Sequence, residues 1–281
     1  MNDVLLAMDK VDYSYDEGGF ALKGLSLEIC KGQRIAVLGN NGAGKSTFFL
    51  LCNGILKPDK GALFYGGKTI DPRKKQDLLR LRQLVGIIFQ DADHQIIGST
   101  VESEVSFGPM NLKLPAEKVA QRVDQALQAM GLAEYRHRPP HYLSGGEKKR
   151  VTIADILAME PEVLLFDEPT AFLDPAGVRT LESLLAELYR QERALLVSTH
   201  DIDFAWRWAQ RILVFHAGRL VADNTPEQIF ADGPLLEQAG LRRPYLYDFT
   251  LSLQAHCGWP PDIWPKTTAE IEAYYKNKAR L

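Results

Sequence analysis

Cysteine is scarce in this chain, long apolar runs are missing, and neither sign of charge dominates. Only Cys30, Cys52 and Cys257 occur among 281 residues. An odd number of widely spaced cysteines argues against a disulfide framework and fits a reducing compartment. No apolar stretch approaches the roughly 20 residues that a bilayer-spanning helix needs. The opening MNDVLLAMDKVD is too acidic, and its apolar part too short, for a secretory leader. The 33 basic and 36 acidic side chains leave a formal charge of −3, which speaks against a protein whose main task is gripping nucleic-acid phosphates. Internal repeats and low-complexity tracts are absent too. What is left, 46% hydrophobic and 25% charged residues, is the composition of an ordinary globular protein with one large domain or one domain plus a smaller companion. The expectation is a soluble, cytoplasmic chain that reaches a membrane only through a partner.

The alternation of apolar and polar residues predicts strands over residues 4–15 and 20–29, with a turn at Asp16-Glu-Gly-Gly19 between them. Arg34-Ile-Ala-Val-Leu38 is a short apolar run leading into glycines, and residues 45–53 read as the helix that follows, stopped by Gly54. Residues 62–65 and 68–70, around Gly66-Gly67, suggest a hairpin. Pro115 opens an amphipathic helix with Val119, Val123, Leu127 and Met130 on one face and Gly131 at its end. Val163-Leu-Leu-Phe166 and Ala194-Leu-Leu-Val197 are wholly apolar, as buried parallel strands are. A helix from Asp174-Pro175 to about Arg190 lies between them, and residues 212–222 close the pattern as a hairpin around Ala217-Gly218. Beyond Pro226 the apolar pattern loosens and prolines return, which suggests a helical tail.

Gly39-Asn40-Asn41-Gly42-Ala43-Gly44-Lys45-Ser46-Thr47 fits G-x-x-x-x-G-K-[S/T]. A glycine-rich turn would be the plain alternative, but the loop joins a buried strand to a helix. Glycines let successive N–H groups curl round one oxyanion, and the helix start adds its dipole. Lys45 is expected to neutralise β- and γ-phosphate charge, and the Ser46 hydroxyl to ligate Mg²⁺. Asp167-Glu168 ends an apolar strand, where adjacent side chains point different ways and can hold different jobs. Asp167 is expected to hold Mg²⁺, with Gln90 as a further ligand, and Glu168 to polarise an attacking water. Alone, such a strand end is as readily a solvated turn. His200 and Gln90 end further apolar runs, and a lone residue there is more often structural. Parallel strands nevertheless finish on one edge, where ligands gather.

These pieces in this order, together with Leu143-Ser144-Gly145-Gly146-Glu147, resemble the nucleotide-binding cassette of ABC transporters. The resemblance covers about residues 4–225. It implies an α/β P-loop fold with a mainly parallel core sheet, an N-terminal antiparallel β subdomain, a helical subdomain over about 91–160, and a C-terminal extension over 226–281. It also implies that LSGGE is the signature motif, and that two cassettes meet head to tail. Ser144, Gly145 and Gly146 of one would then complete the ATP site of the other. By the same resemblance Tyr15 stacks on adenine, with Tyr13 two residues away as its rival, and Asp174 belongs to the dimer-crossing loop. Phe172 departs from the pattern, which favours a small residue there.

Asn53-Gly-Ile-Leu-Lys-Pro58, Phe107-Gly-Pro-Met-Asn-Leu112, Leu143-Ser-Gly-Gly-Glu-Lys-Lys-Arg-Val151 and Leu157-Ala-Met-Glu-Pro161 are similar to the ATPase subunits of energy-coupling-factor transporters, above all the cobalt and nickel type. Glu147, where most cassettes carry Gln, fits that branch. Ala92 and His94 depart from it, in a region that shapes the groove for a membrane subunit. The resemblance thus implies an ATP- and Mg²⁺-dependent hydrolase at the cytoplasmic face of the cell membrane. Its partners would be a second copy or sister cassette, a transmembrane coupling subunit and a substrate-binding membrane subunit; contact with nucleic acid or with the transported metal is not expected. Vitamin cargo fits the same mechanism. A soluble ABC ATPase acting on DNA or ribosomes would usually carry two cassettes or a coiled-coil insertion, and a P-loop kinase would lack LSGGE. His94 has no second ligand nearby, and His256-Cys257 are adjacent residues, which rarely converge on one ion, so neither is read as a metal site.

Overall fold

The computed structural model describes residues 3–15, 19–171, 173 and 175–278. The turn expected at residues 16–19 therefore falls largely outside the described residues, as do Phe172 and Asp174. Strands β1 (Val4–Tyr15), β2 (Gly19–Cys30), β3 (Arg34–Leu38), β4 (Lys60–Tyr65) and β5 (Lys68–Ile70) open the chain, with helix α1 (Lys45–Cys52) between β3 and β4. Next come α2 (Lys75–Leu84), β6 (Val85–Ile88), α3 (Val101–Asn111), α4 (Ala116–Ala129), α5 (Gly145–Ala158), β7 (Val163–Asp167), α6 (Pro175–Arg190) and β8 (Ala194–Ser198). Helix α7 (Ile202–Trp208), the hairpin β9 (Arg211–His216) and β10 (Arg219–Asn224), and helices α8 (Pro226–Ala231), α9 (Gly233–Ala239), α10 (Tyr245–His256) and α11 (Thr268–Lys278) complete it.

Two sheets result. An antiparallel one runs β2-β1-β4-β5, and a six-stranded one runs β10-β9-β3-β8-β7-β6. In the larger sheet every neighbour is parallel except the β9–β10 hairpin. Its parallel strands β3, β6, β7, β8 and β9 are mostly apolar because both faces are covered, and the alternation of the pleat divides them. Ile35, Val37, Leu165, Leu196, Leu213 and Phe215 point into one core with α1 and the antiparallel sheet. Ala36, Leu38, Leu164, Phe166, Val197 and Val214 point into the other, beneath the helices. Helices α3, α4 and α5 form the helical subdomain, with Val123, Leu127 and Met130 buried as the period of α4 demands.

Three of the returning prolines start helices of the tail. Pro226 and Pro234 occupy first-turn positions and Pro244 precedes α10, where the fixed φ of proline suits a helix start. The apolar core also continues across residue 226. Trp206 of α7 meets Phe230, Tyr247 and Trp264 edge-on at 5.9, 5.3 and 6.3 Å and donates its ring N–H to the Pro265 carbonyl at 3.0 Å. Lys266 lies over the Trp206 ring, 3.4 Å from its centre.

Candidate active site

The site begins with register. β3, β7 and β8 run parallel, with Val37 and Asp167 both paired to Ser198, so the loops that follow them open on one edge. The loop after β3 is held by its glycines. A Cβ at Gly39 would stand 2.3 Å from the Phe215 carbonyl, and one at Gly44, where φ is +106°, would meet the Ala21 carbonyl and the Leu22 side chain at 2.8 Å. Gly44 precedes α1 without a side-chain cap, and the first turn holds no acidic residue. The helix start thus offers its amides and the positive end of its dipole to a ligand.

A cleft of about 730 Å³ covers that helix start, lined by Tyr15, residues 40–47, Gln90, Asp167, Glu168, Ala171 and His200 among others. Buried Lys45 lies across its floor. The Lys45 ammonium donates to the Gly39 carbonyl at 2.7 Å and the Asn40 carbonyl at 3.4 Å, and stands 3.4 Å from His200 Nε2. Burial lowers the affinity of Lys45 for its proton, while Glu168 and Asp167 oppose that shift. The carboxylates are held differently, as their adjacent positions suggest. Asp167 Oδ1 accepts from the buried Ser198 hydroxyl at 2.5 Å. The Glu168 backbone turns into the left-handed region, φ +46°, a strained conformation for a side-chain-bearing residue. Its amide is tied to the Ser198 Oγ at 3.0 Å.

Glu168 Oε1 is buried and receives no hydrogen bond. His200 Nε2 lies 3.2 Å away, near enough for an ion pair but out of line for a hydrogen bond. Burial raises the Glu168 carboxyl above its ordinary value, His200 and Lys45 pull it back, and Asp167 pushes it up. The cleft therefore holds a carboxylate oxygen with a free lone pair, next to an ammonium and an imidazole. That set can receive a proton from water beside a bound anion.

Of the two tyrosines, Tyr15 lines the cleft and is half-exposed, its hydroxyl 3.3 Å from Thr47 Oγ1. Tyr13 meets it edge-on at 5.0 Å and packs on the core instead. Ser144, Gly145 and Gly146 do not line this cleft. They are exposed at the start of α5, where Ser144 and Glu147 close a capping box. The Ser144 amide and hydroxyl donate to Glu147 Oε2 at 2.7 and 2.8 Å, and the Glu147 amide donates back at 3.3 Å. These bonds hold the Glu147 carboxyl below its ordinary value. Asp174 lies outside the described residues. His94 is exposed and meets Asp91 at 3.1 Å; no three His, Cys, Asp or Glu side chains converge among the described residues.

The ABC transporter family model matches residues 22–171. The chain is 44% identical to the energy-coupling factor transporter ATP-binding protein EcfA2 of Methanospirillum hungatei, over 95% of this chain and 67% of that one. It is 43% identical to the corresponding EcfA of Methanothermobacter thermautotrophicus, over 97% and 86%. Among solved structures, cbiO1 from Clostridium perfringens, part of the ABC transporter complex cbiONQ, superposes with a TM-score of 0.74 at 41% identity, over 85% of this chain and 96% of that one. A dimeric post-hydrolysis state of the ATP-binding cassette MJ0796 with ADP and Pi gives 0.69 at 27%, over 79% and 99%.

The chain belongs to the ABC transporter ATPases, in the energy-coupling factor branch. The cassette fold expected from the motifs is the fold observed.

Sequence reasoning missed several residues of this cassette. Lys149 is buried in α5 and donates to the Phe89 and Gln90 carbonyls at 2.5 and 3.2 Å, tying the signature helix to the strand end that carries Gln90. Burial pulls its pKa down to about 8, with Asp167 and Asp91 opposing. Gln95 extends the same strand end, accepting from the Phe89 amide at 3.2 Å and donating to the Ile87 carbonyl at 3.3 Å. Ser198 carries both Asp167 and the Glu168 amide. A polar residue ending an apolar run was the available signal for Ser198; a charged residue inside a signature helix was the signal for Lys149.

Proposed function

We propose that this cassette hydrolyses ATP to power uptake of a divalent transition metal, cobalt or nickel, through a membrane transporter of the energy-coupling factor type. The observation that carries the ATPase chemistry is the Lys45, Glu168 and His200 constellation at the rim of the phosphate loop, with Glu168 Oε1 unpaired. In this reading the amides of residues 41–47 and the Lys45 ammonium bind the phosphates, exchanging carbonyl partners for phosphate oxygens. Tyr15 packs on the base. Glu168 orients a water and takes its proton, and His200 holds the γ-phosphate oxygens as charge develops. Asp174 belongs to the loop that crosses to the partner. Mg²⁺ suits the hard oxygens of Ser46, Gln90 and Asp167, whose Oδ2 is left over once Oδ1 accepts from Ser198; it would neutralise β- and γ-phosphate charge. A single carboxylate in that set fits a site whose other ligands are phosphate oxygens.

Ser144, Gly145 and Gly146 serve a second copy of the chain in a head-to-tail homodimer. What supports this is their exposure at an α5 start outside the chain's own cleft, and the dimer in which MJ0796 is found. Domain limits of 1–225 and 226–281 mark the catalytic body and its extension. The body sits on the cytoplasmic face of the cell membrane through a transmembrane coupling subunit. Among the described residues no helix is long and apolar enough to cross a membrane. Ile97, Phe107 and Met110 are exposed in the helical subdomain, 72%, 54% and 64%, and give that partner apolar side chains to hold. Metal cargo is supported by the four stretches quoted above and by the likeness to cbiO1. The test is cobalt and nickel accumulation in cells carrying wild type or Glu168→Gln beside the native neighbouring genes. Lost uptake in the variant sustains the metal reading. Unchanged uptake, with ATP hydrolysis abolished in vitro, moves the cargo to a vitamin or another solute.

A further inference from the structure

The segment between α9 and α10 reaches back to both sides of the cleft. α9 ends at Gly240, where φ is +62°. A Cβ added there would stand 2.5 Å from Asn40 Nδ2, so this glycine lies flush on a phosphate-loop side chain. The carbonyl of that same Asn40 is one of the acceptors that hold the Lys45 ammonium. Two residues further on, Arg242 Nη2 donates to Asp203 Oδ2 at 2.5 Å, and the Tyr245 amide at the start of α10 donates to Asp203 Oδ1 at 2.7 Å. Asp203 lies in the first turn of α7, three residues after His200. The corner between them is itself fixed. The Asp201 amide donates to Thr199 Oγ1 at 3.0 Å, and Asp201 caps α7 by accepting from the Phe204 amide at 2.8 Å.

The segment does not owe its shape to these contacts alone. Arg242 Nη1 donates to the Arg243 carbonyl at 2.9 Å, and its guanidinium lies 4.2 Å from the Tyr245 ring centre. Arg243 Nε donates to the Phe230 carbonyl at 3.0 Å, which anchors the segment to the aromatic core of the tail. A short, internally bonded strap therefore touches the loop that holds Lys45 and the helix that starts beside His200.

We propose that residues 240–245 are a positioning brace for hydrolysis: Gly240 against Asn40 and Arg242 against Asp203 keep the phosphate loop and the His200 corner at a fixed separation. None of these groups is catalytic; Asp203, Arg242 and Gly240 act through Asn40 and α7. The inference rests on the reading of residues 39–47 and His200 as the ATP site. Its physical basis is that a displacement on the order of 1 Å at reacting groups can cost as much as ~100-fold in rate. A half-exposed ion pair by contrast contributes little to stability. Breaking the brace should thus slow turnover more than it loosens the fold.

The experiment measures ATP hydrolysis, ATP binding and Tm on the full-length chain for Lys45→Ala, Arg242→Ala, Arg242→Lys, Asp203→Ala and the Arg242→Ala/Asp203→Ala double variant. Arg242→Ala should lower kcat about 5- to 20-fold with ATP affinity within about twofold. The double variant should be no slower than Asp203→Ala, because that change already removes the Arg242 contact together with the Tyr245 amide bond. Arg242→Lys should recover most of the rate. Gly240→Ala should instead raise KM for ATP, since its Cβ pushes on Asn40. If alanine at position 203 prevents folding, Asp203→Asn carries the same expectation. Should Arg242→Ala turn over at the wild-type rate while Lys45→Ala is inactive, the brace is wrong and the site stands. A lower Tm with kcat unchanged per folded molecule overturns the brace equally. If Lys45→Ala still hydrolyses ATP, the site reading itself fails.

Discussion

Two of this chain's helices have glycine at their starts, and those starts are built in opposite ways. α1 follows Gly44, has no side-chain cap and no acid in its first turn, and buries Lys45 at its mouth. α5 follows Ser144, closes a capping box with Glu147, and leaves residues 144–146 exposed. An uncapped start keeps unsatisfied amides and an uncompensated dipole, which a phosphate can use at once. A capped start has already spent one hydroxyl and placed a carboxylate where a phosphate would go. The first is a complete anion site within its own chain. The second needs something from outside before it binds one, which is the behaviour wanted of a half-site that closes only when a partner arrives.

Lys45→Ala breaks the comparison at its strong end. It removes the one ammonium among the described residues that line the cleft, and ATP affinity measured by titration calorimetry should fall by more than about 100-fold. Retained tight binding would refute the phosphate-loop assignment. Glu168→Gln keeps the shape of the cleft and removes the base. Hydrolysis should drop by about 10²- to 10³-fold while ATP still binds and drives a dimer visible by size-exclusion chromatography. A monomer that still hydrolyses sinks both roles. Ser144→Arg tests the other start. ATP should bind normally and turnover should vanish, and an equal mixture with Lys45→Ala should regain activity, because the mixed dimer keeps one intact composite site. No recovery in the mixture counts against the shared site.

The edge with Lys45 was legible in the sequence because its residues are dictated by backbone geometry. Glycines at 39 and 44 are needed to avoid the Phe215 and Ala21 carbonyls, and the apolar runs of β3, β7 and β8 follow from burial on both faces. Most strands and α1, α4 and α6 were readable for the same reason. α3 was not, since Gly108 and Pro109 interrupt its pattern, and neither was α7, a seven-residue helix with its large residues almost all buried. Lys149, Gln95 and the Asp203–Arg242 contact depend on neighbours 39 to 60 residues away in sequence or on a loop's shape. Periodicity says nothing about such pairs. The tail was legible as helical but not in its limits: Pro226, Pro234 and Pro244 mark where its helices start, and the loosened apolar pattern did not show that.

A partly buried acid separates the two helices further. Asp155 of α5 is partly buried, its Oδ1 enclosed and without a hydrogen-bond partner, and its pKa is pushed up to about 7, first by burial and then by Glu104, with a Gly108 backbone hydrogen bond opposing. An acid raised in the fold stabilises it fully below the unfolded value and loses that contribution as pH climbs through the folded one. Wild type should therefore lose about 2 kcal/mol between pH 5 and pH 8 that Asp155→Asn keeps. Urea unfolding at the two pH values decides it, and parallel losses in both proteins would exclude Asp155 as the cause.

The smallest effect is the most diagnostic of the capped start. Glu147 holds Ser144 through its amide and hydroxyl, yet it also puts negative charge beside the amides that, in the proposed dimer, a partner's γ-phosphate would approach. Glu147→Gln keeps the acceptor and hence the box, and takes the charge away. A charge at a helix start is worth about 0.3 to 1 kcal/mol when exposed at low ionic strength. Removing it should tighten ATP-driven dimerisation by a few-fold at low salt, and the gain should shrink as salt is added. Glu147→Ala should do the reverse, because it loses the box together with the charge. If glutamine and alanine weaken the dimer alike, the carboxylate is needed as a cap and does not compete with phosphate, and the contrast between the two helix starts narrows to exposure alone.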